Sequence, residues 1–365
     1  MKAADSIFIL TFAHTLALAP ALLGSGIAFA EPIRVIWGGF IDTQYAFDLN
    51  QPQGIDRAYT TQPARHNELN VNLAYVEAKL LGEKVRGRLA LQLGTSVQSN
   101  YASEPQVGSV SGGSMSRHLQ EGVVGYRLNE LWWIDAGVYF SHIGVENWVS
   151  KENWALSRTL ISEFSPYYQS GVKLSYEGNE GVSGQLHILN GWQNMSENNS
   201  QKALGISGTY APKNSRFEGT YNNFMGREVE YRWRLFHNVI LKWKSSDSLQ
   251  FSMNYDRGWQ QTGDLSSWQS WHGFAVFARY QAQAGWASTL RLEGYFDPDQ
   301  VIVSTASDHG FQVWGGSLNV DQPLTEQVVW RNEIRLLSSK DAIYPSATRL
   351  VKNDSFVLSS LSINF

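Results

Sequence analysis

The chain has 365 residues, a formal net charge of −4 and no cysteine. That composition excludes disulfide staples, thiolate metal sites and cysteine nucleophiles. It carries no basic stripe of the kind that grips nucleic acid.

Met1 to Ala30 opens with Lys2, continues through an apolar core from Ile7 to Leu23, and ends in Ala28-Phe29-Ala30. A charged start, an apolar middle and a small-x-small end predict a signal peptide over 1–30, cleaved before Glu31. Asp5 is untypical of such a leader, and Pro20 softens its helix. The alternative, a single membrane anchor, needs about 20 apolar residues, more than this core supplies. No cysteine follows the apolar stretch, so a lipoprotein is excluded.

Residues 31–365 read as strand after strand. The mean hydropathy of −0.28 suits a soluble protein, but it also suits a wall whose strands alternate between lipid and a polar lumen. Fourteen Trp, 16 Tyr and 17 Phe would supply the aromatic belts of such a wall, or else a soluble core. Period-2 alternation is clear over 85–97, where Val85, Leu89, Leu91, Leu93 and Val97 oppose Arg86, Arg88, Gln92 and Ser96. It recurs over 132–140, 249–256 and 286–296. Over 66–81, Leu69, Val71, Leu73 and Tyr75 share a face with Glu77 and Lys79, a conflict that a bulge would relieve. Asn332 shares the apolar face of Trp330 and Ile334 without an evident reason.

Sixteen strands are predicted, at 33–48, 66–81, 85–98, 117–128, 131–142, 168–178, 182–194, 201–211, 215–225, 233–245, 248–259, 271–284, 286–297, 310–322, 326–338 and 353–365. Tight connections with Gly, Asn, Asp or Pro alternate with longer polar loops. Short turns on one side and long loops on the other predict an all-β fold, a transmembrane antiparallel up-and-down β-barrel over 31–365. Fourteen or eighteen strands are also compatible with the pattern. The last strand places Val357, Leu361, Ile363 and Phe365 on one face, with Ser360, Ser362 and Asn364 on the other. A terminal aromatic on such a strand resembles the signal that barrel-assembly machinery reads in outer-membrane proteins.

Alternation predicts which charges face the lumen. The basic set is Arg86, Arg88, Lys173, Lys242, Lys244, Arg279, Arg291, Arg331 and Arg335. The acidic set is Asp42, Asp135, Asp256, Glu293 and Glu333. The balance predicts a weak anion preference. A barrel this wide needs narrowing if it is to sieve solutes. The loop at 143–167, with Lys151, Glu152, Arg158 and Glu163, is the candidate constriction, its charges opposite Arg86 and Arg88. Ser150 is positioned to cap a short helix within it. An exposed surface loop is the alternative.

Enzymatic chemistry has little support. The eight histidines lack metal-ligand spacing, and nothing calls for a cofactor. Ser141 and His142 are adjacent on a strand, so they point to opposite faces, and a dyad would need another partner such as His187 or Asp42.

TTQPARHNELNVNLAYVEAKL at 60–80, RGRLALQLGTSVQSNYASEP at 86–105, SRHLQEGVVGYRL at 116–128, SPYYQSGVKLSY at 165–176 and LNGWQNMSENNSQKALG at 189–205 are similar to the OmpL-like β-barrel porin family of Gram-negative bacteria. The resemblance implies an outer-membrane channel protein and lends no established substrate; the barrel pattern itself is read as a water-filled channel in outer-membrane lipid that passes small hydrophilic solutes and ions. The resemblance assigns no active site. A homotrimer is compatible with it. Two other readings compete, a barrel enzyme of lipase or protease type and a plugged structural or adhesin barrel.

Overall fold

The computed structural model describes residues 32–109 and 116–365; the predicted signal peptide lies outside the described residues. Sixteen strands form a closed antiparallel barrel in sequence order. They are β1 (Arg34–Asp48), β2 (Leu69–Leu81), β3 (Val85–Leu93), β4 (Leu119–Arg127), β5 (Trp132–Phe140), β6 (Tyr168–Glu177), β7 (Val182–Leu189) and β8 (Ala203–Tyr210), then β9 (Phe217–Arg227), β10 (Trp233–Lys244), β11 (Leu249–Gln261), β12 (Trp268–Gln281), β13 (Ala287–Asp297), β14 (Phe311–Pro323), β15 (Val328–Ser339) and β16 (Asn353–Asn364). Closure is made by β1 and β16, in register from Phe40↔Asn364 to Asp48↔Phe356. Each strand pairs with its chain neighbour, so every connection is a hairpin, short and long in alternation.

Alternation decides which way each side chain points. Leu89, Leu91, Val357, Leu361, Leu290 and Leu292 are exposed on the outer wall. Their neighbours Ser360, Arg291 and Glu293 are buried inside. Phe365 follows β16, its main chain exchanging hydrogen bonds with Gly39 at 2.9 and 3.1 Å. A Cβ on Gly39 would stand 2.3 Å from the Phe365 ring, so only glycine leaves room for that ring.

Two departures from the sequence reading have local causes. In β2 the register against β1 slips between Asp42 and Thr43, a bulge at Asn72–Leu73. Beyond it Leu73, Tyr75 and Glu77 point inward and Val76 outward, so the carboxylate does not meet the outer surface. The predicted strand at 85–98 stops at Leu93. Gly94 adopts φ +140, where a Cβ would sit 2.2 Å from the Asn72 carbonyl oxygen. The chain then turns into α1 (Thr95–Asn100), whose Val97 is buried inside rather than outward with Leu93.

Asn332 does face outward, directly opposite Ser359, and the Trp330 indole donates to the Ser359 hydroxyl at 3.0 Å. The local polarity of the outer wall there is thus shared between neighbouring strands.

Candidate functional site

The interior is divided by the loop at 141–167, which folds into the barrel. Its start is fixed by Trp148, which is buried, donates to Gln92 at 2.8 Å and packs against Tyr167. Asn153 and Asn147 close the next turn through two side-chain-to-main-chain bonds of 2.7 and 2.9 Å. Thr159 then caps α2 (Leu160–Glu163) by accepting from the Ser162 N–H at 3.2 Å. The helix therefore begins at Leu160 and not at Ser150, which opens a 3-10 turn over Ser150–Glu152.

A loop inside a barrel loses water, so its main-chain groups need partners. The wall of β12, β13, β15 and β1 supplies them. Arg331 donates to the carbonyls of Ser150 at 2.6 Å and Asn153 at 2.9 Å. Arg291 donates to the Ser157 carbonyl at 2.8 Å, and Arg279 to that of Trp154 at 3.1 Å. Carboxylates answer the donors: Glu293 accepts from the Leu160 N–H at 2.7 Å, and Asp42 from the Ser150 hydroxyl at 2.9 Å. The charges compensate one another, with Arg335 on Glu293 in a two-bond fork at 2.9 and 2.8 Å and Arg291 on Glu333 at 2.8 Å. Toward the long-loop end, Phe236, Trp271, Tyr295 and Phe311 of the wall pack with Leu160, Ile161 and Tyr344 into an apolar filling.

Toward the short-turn ends of β2–β8 the interior is not filled. A cavity of about 510 Å³ is lined by Lys79, Arg86, Arg88, Glu121, Asp135, Lys173 and Glu177, with Ser175, Gln185, Ser207 and Thr209. Its charges interlock across β2–β6. Arg86 bonds Asp135 in a fork at 2.8 and 2.7 Å and Glu177 at 2.9 Å. Arg88 pairs with Glu77 and Glu121, and Lys79 with Glu77 at 3.1 Å. Lys173 is the loosest member, 4.0 Å from Asp135.

Most of the predicted lumen residues separate into two groups, whereas Lys242 and Lys244 join neither and pair locally with Glu218 and Asp247. Arg86, Arg88, Asp135 and Lys173 border the cavity. Arg291, Glu293, Arg331, Glu333 and Arg335 are at most 3% exposed and hold the loop, while Arg279 is partly exposed at its edge. Pointing inward does not mean meeting water once a loop occupies that half. The four loop charges separate as well. Lys151 and Glu152 are exposed, and the Lys151 Nζ stands 5.5 Å from the Phe40 ring centre. Arg158 and Glu163 are buried and fasten the loop at 49–68 onto this one. Arg158 donates to Gln62 at 3.2 Å and to the Trp148 carbonyl. Glu163 accepts from the Thr61 N–H at 2.9 Å and from the Thr61 and Thr60 hydroxyls at 2.6 and 3.1 Å. Burial raises the Glu163 carboxyl above its ordinary range, opposed by the Thr61 bonds and the charge of Arg158.

Glu77 and Glu121 are absent from the predicted lumen set. Glu121 stands at an inward position of β4 and was legible by alternation; Glu77 was hidden by the bulge in β2. Ser141 and His142 form no dyad. His142 contacts Gln169 and the Asn223 carbonyl at 2.9 Å each and stacks on His187, whereas the Ser141 hydroxyl accepts from the Ile143 N–H. Among the described residues no group of three or more His, Asp or Glu is arranged to hold a metal ion.

The geometry agrees with comparisons to known proteins. No curated protein sequence matches the chain. Solved structures share the fold at low identity. The anion-selective porin from Comamonas acidovorans has a TM-score of 0.59 at 10% identity, covering 92% of this chain and 100% of that one. The outer membrane channel DcaP of Acinetobacter baumannii has 0.61 at 12%, covering 94% and 100%. Salmonella typhi OmpF, in complex with daunomycin, has 0.59 at 12%, covering 91% and 97%. The family described as "Putative beta-barrel porin-2, OmpL-like" matches residues 34–365, nearly the whole barrel. The chain belongs to this OmpL-like family of bacterial outer-membrane β-barrel porins.

Proposed function

We propose that the barrel is a passive diffusion channel for small hydrophilic solutes and ions, with a weak preference for anions. The observation that carries this reading is the polar cavity of about 510 Å³ lined by the inward faces of β2–β8. Its wall offers paired charges of both signs, which suit hydrated solutes and disfavour apolar ones. The anion preference rests on Lys173, whose nearest carboxylate is 4.0 Å away, while Asp135 is held at shorter range by Arg86. A loosely paired cation leaves positive potential in the passage.

The reading carries an assembly route with it. The signal peptide over 1–30 is removed before Glu31, barrel-assembly machinery recognises the last strand through Phe365, and three copies associate. The partly polar outer surface around Asn332 and Ser359 supports contact between copies there, because a wall facing only lipid favours apolar residues.

The test is single-channel recording of the refolded mature protein in a planar bilayer under a salt gradient. Discrete steps with a reversal potential on the anion side support the proposal. A folded barrel that stays silent sinks the channel reading and favours the plugged barrel. Steps with a cation-side reversal potential overturn only the selectivity.

A further inference from the structure

The outer wall carries a polar row that the channel reading does not use. Asn223, His237, Arg257 and His272 stand directly opposite one another across β9, β10, β11 and β12. Their chain neighbours Asn222, Asn238 and Asp256 are buried inside and bonded to each other, which fixes the row on the outward face. Among the described strand residues of β9–β14, Arg257 and Arg227 are the only fully charged side chains on that face.

The row is built for an anion. Arg257 donates to the His272 Nδ1 at 3.1 Å and to the Ser270 hydroxyl at 3.2 Å, and its guanidinium stands 5.1 Å from the Trp259 ring centre. Because arginine can only donate, the neutral His272 ring carries its proton on Nε2, leaving that N–H free for a further acceptor. Among the described residues no carboxylate comes within ion-pair distance of Arg257. Surrounding residues hold the row in place: His272 stacks on Phe296 at 4.9 Å, and the Tyr221 hydroxyl lies 2.6 Å from the His237 Nδ1.

Position selects the source of the anion. The row lies toward the long-loop ends of its strands, the ends that face the cell exterior in outer-membrane barrels. Met225 and Leu235 flank it on one side, and Tyr221, Val239 and Tyr255 on the other. A cation is strongly destabilising at the bilayer midplane and nearly neutral at the interface, where aromatic residues gather. An anion reaching this row comes attached to a lipid.

We infer that Arg257, with His272, His237 and Asn223, binds a phosphate group of an outer-leaflet lipid. The guanidinium fork matches phosphate oxygens, and the row contributes neutral donors beside it. This site is independent of conduction.

The experiment loads the detergent-purified barrel with diphosphoryl lipid A or its fully dephosphorylated form, and measures retained lipid by native mass spectrometry and titration. Wild type should hold the phosphorylated form at least about tenfold more tightly, the order set by a lost charge-assisted hydrogen bond. Arg257→Gln should abolish that difference while keeping the heat-modifiable mobility of a folded barrel. Arg227→Gln, outward but off the row, should leave it intact. Equal retention of the two lipids, an unchanged Arg257→Gln, or an equal loss in Arg227→Gln would each overturn the inference. So would inorganic phosphate binding with the same Arg257 dependence when lipid A does not bind.

Discussion

Ser157 donates twice to Glu333, from its main-chain N–H at 2.6 Å and its hydroxyl at 2.8 Å. The same carboxylate bonds Arg291 at 2.8 Å, and Arg291 returns to the Ser157 carbonyl. Loop and wall therefore share one closed circuit of charge. Glu333→Ala would leave Arg291 buried with Glu293 alone, at 3.2 Å. Breaking one partner of a buried ion pair costs about 3–5 kcal/mol. The expected result is an earlier heat or urea transition of the folded barrel in micelles. An unshifted transition would show that the circuit contributes nothing to stability.

Removing residues 150–160 should raise single-channel conductance, because that segment spans the interior and is held at Ser150, Asn153 and Ser157. Anion preference should rise with it, since Arg279, Arg291 and Arg331 lose the carbonyls they now engage. Conductance equal to wild type would refute the constriction role of the loop.

Lys173→Glu and Arg291→Gln both remove a positive charge from an inward position, but only Lys173 borders the open cavity. The reversal potential in a salt gradient should move clearly toward cations for Lys173→Glu. Arg291→Gln should move it far less if the barrel stays folded. Equal shifts per unit of charge would mean that the buried half of the wall also meets permeating ions.

Glu163 gives the loops a pH dependence. Its folded-state carboxyl titrates above the ordinary glutamate value because burial disfavours its charge. The folded form binds the proton more tightly, so this stabilisation is complete below the ordinary glutamate range and is lost as pH rises through the raised value. Contact between the loops at 49–68 and 141–167 should loosen across that window. Limited proteolysis of 49–68 should accelerate with rising pH in wild type, and the added acceleration should vanish in Glu163→Gln. Parallel pH profiles in the two proteins would rule the group out.

Gly94→Ala tests the turn that ends β3. Alanine would face both the strained φ of +140 and the Asn72 carbonyl at 2.2 Å. A loss of about 1–3 kcal/mol is expected, of the order of a strained backbone position. Chemical denaturation of the refolded barrel reads it, and a wild-type midpoint would show that the turn can relax.

Most of the barrel was legible in the sequence because a strand's outward and inward residues differ chemically at every second position. Leu89, Leu91 and Leu93 against Arg86, Arg88 and Gln92 set the facing of β3 without any structural knowledge. Alternation fails where the backbone changes phase. The bulge at Asn72 reversed the apparent facing of Glu77, and the Gly94 turn carried Val97 inside. The interior was less legible for another reason. Alternation separates inside from outside, but it carries no information about which inward side chains a loop later covers. Arg86 and Arg335 look alike in sequence, yet one borders the cavity and the other is sealed. Likewise Arg158 and Glu163 have the chemistry of a constriction, and only long-range contacts with Gln62 and Thr61 reveal them as fasteners.

The arginines of β12, β13 and β15 grip the loop by its carbonyl oxygens, a feature every amino acid possesses. Substitutions at the exposed Lys151 or Glu152 thus leave the grip on their neighbours intact. At these carbonyls the wall reads backbone shape, while side-chain identity counts where the Ser150 and Ser157 hydroxyls meet Asp42 and Glu333. The charge that the loop presents inside the barrel can therefore change at its exposed positions while the barrel that holds it stays unchanged.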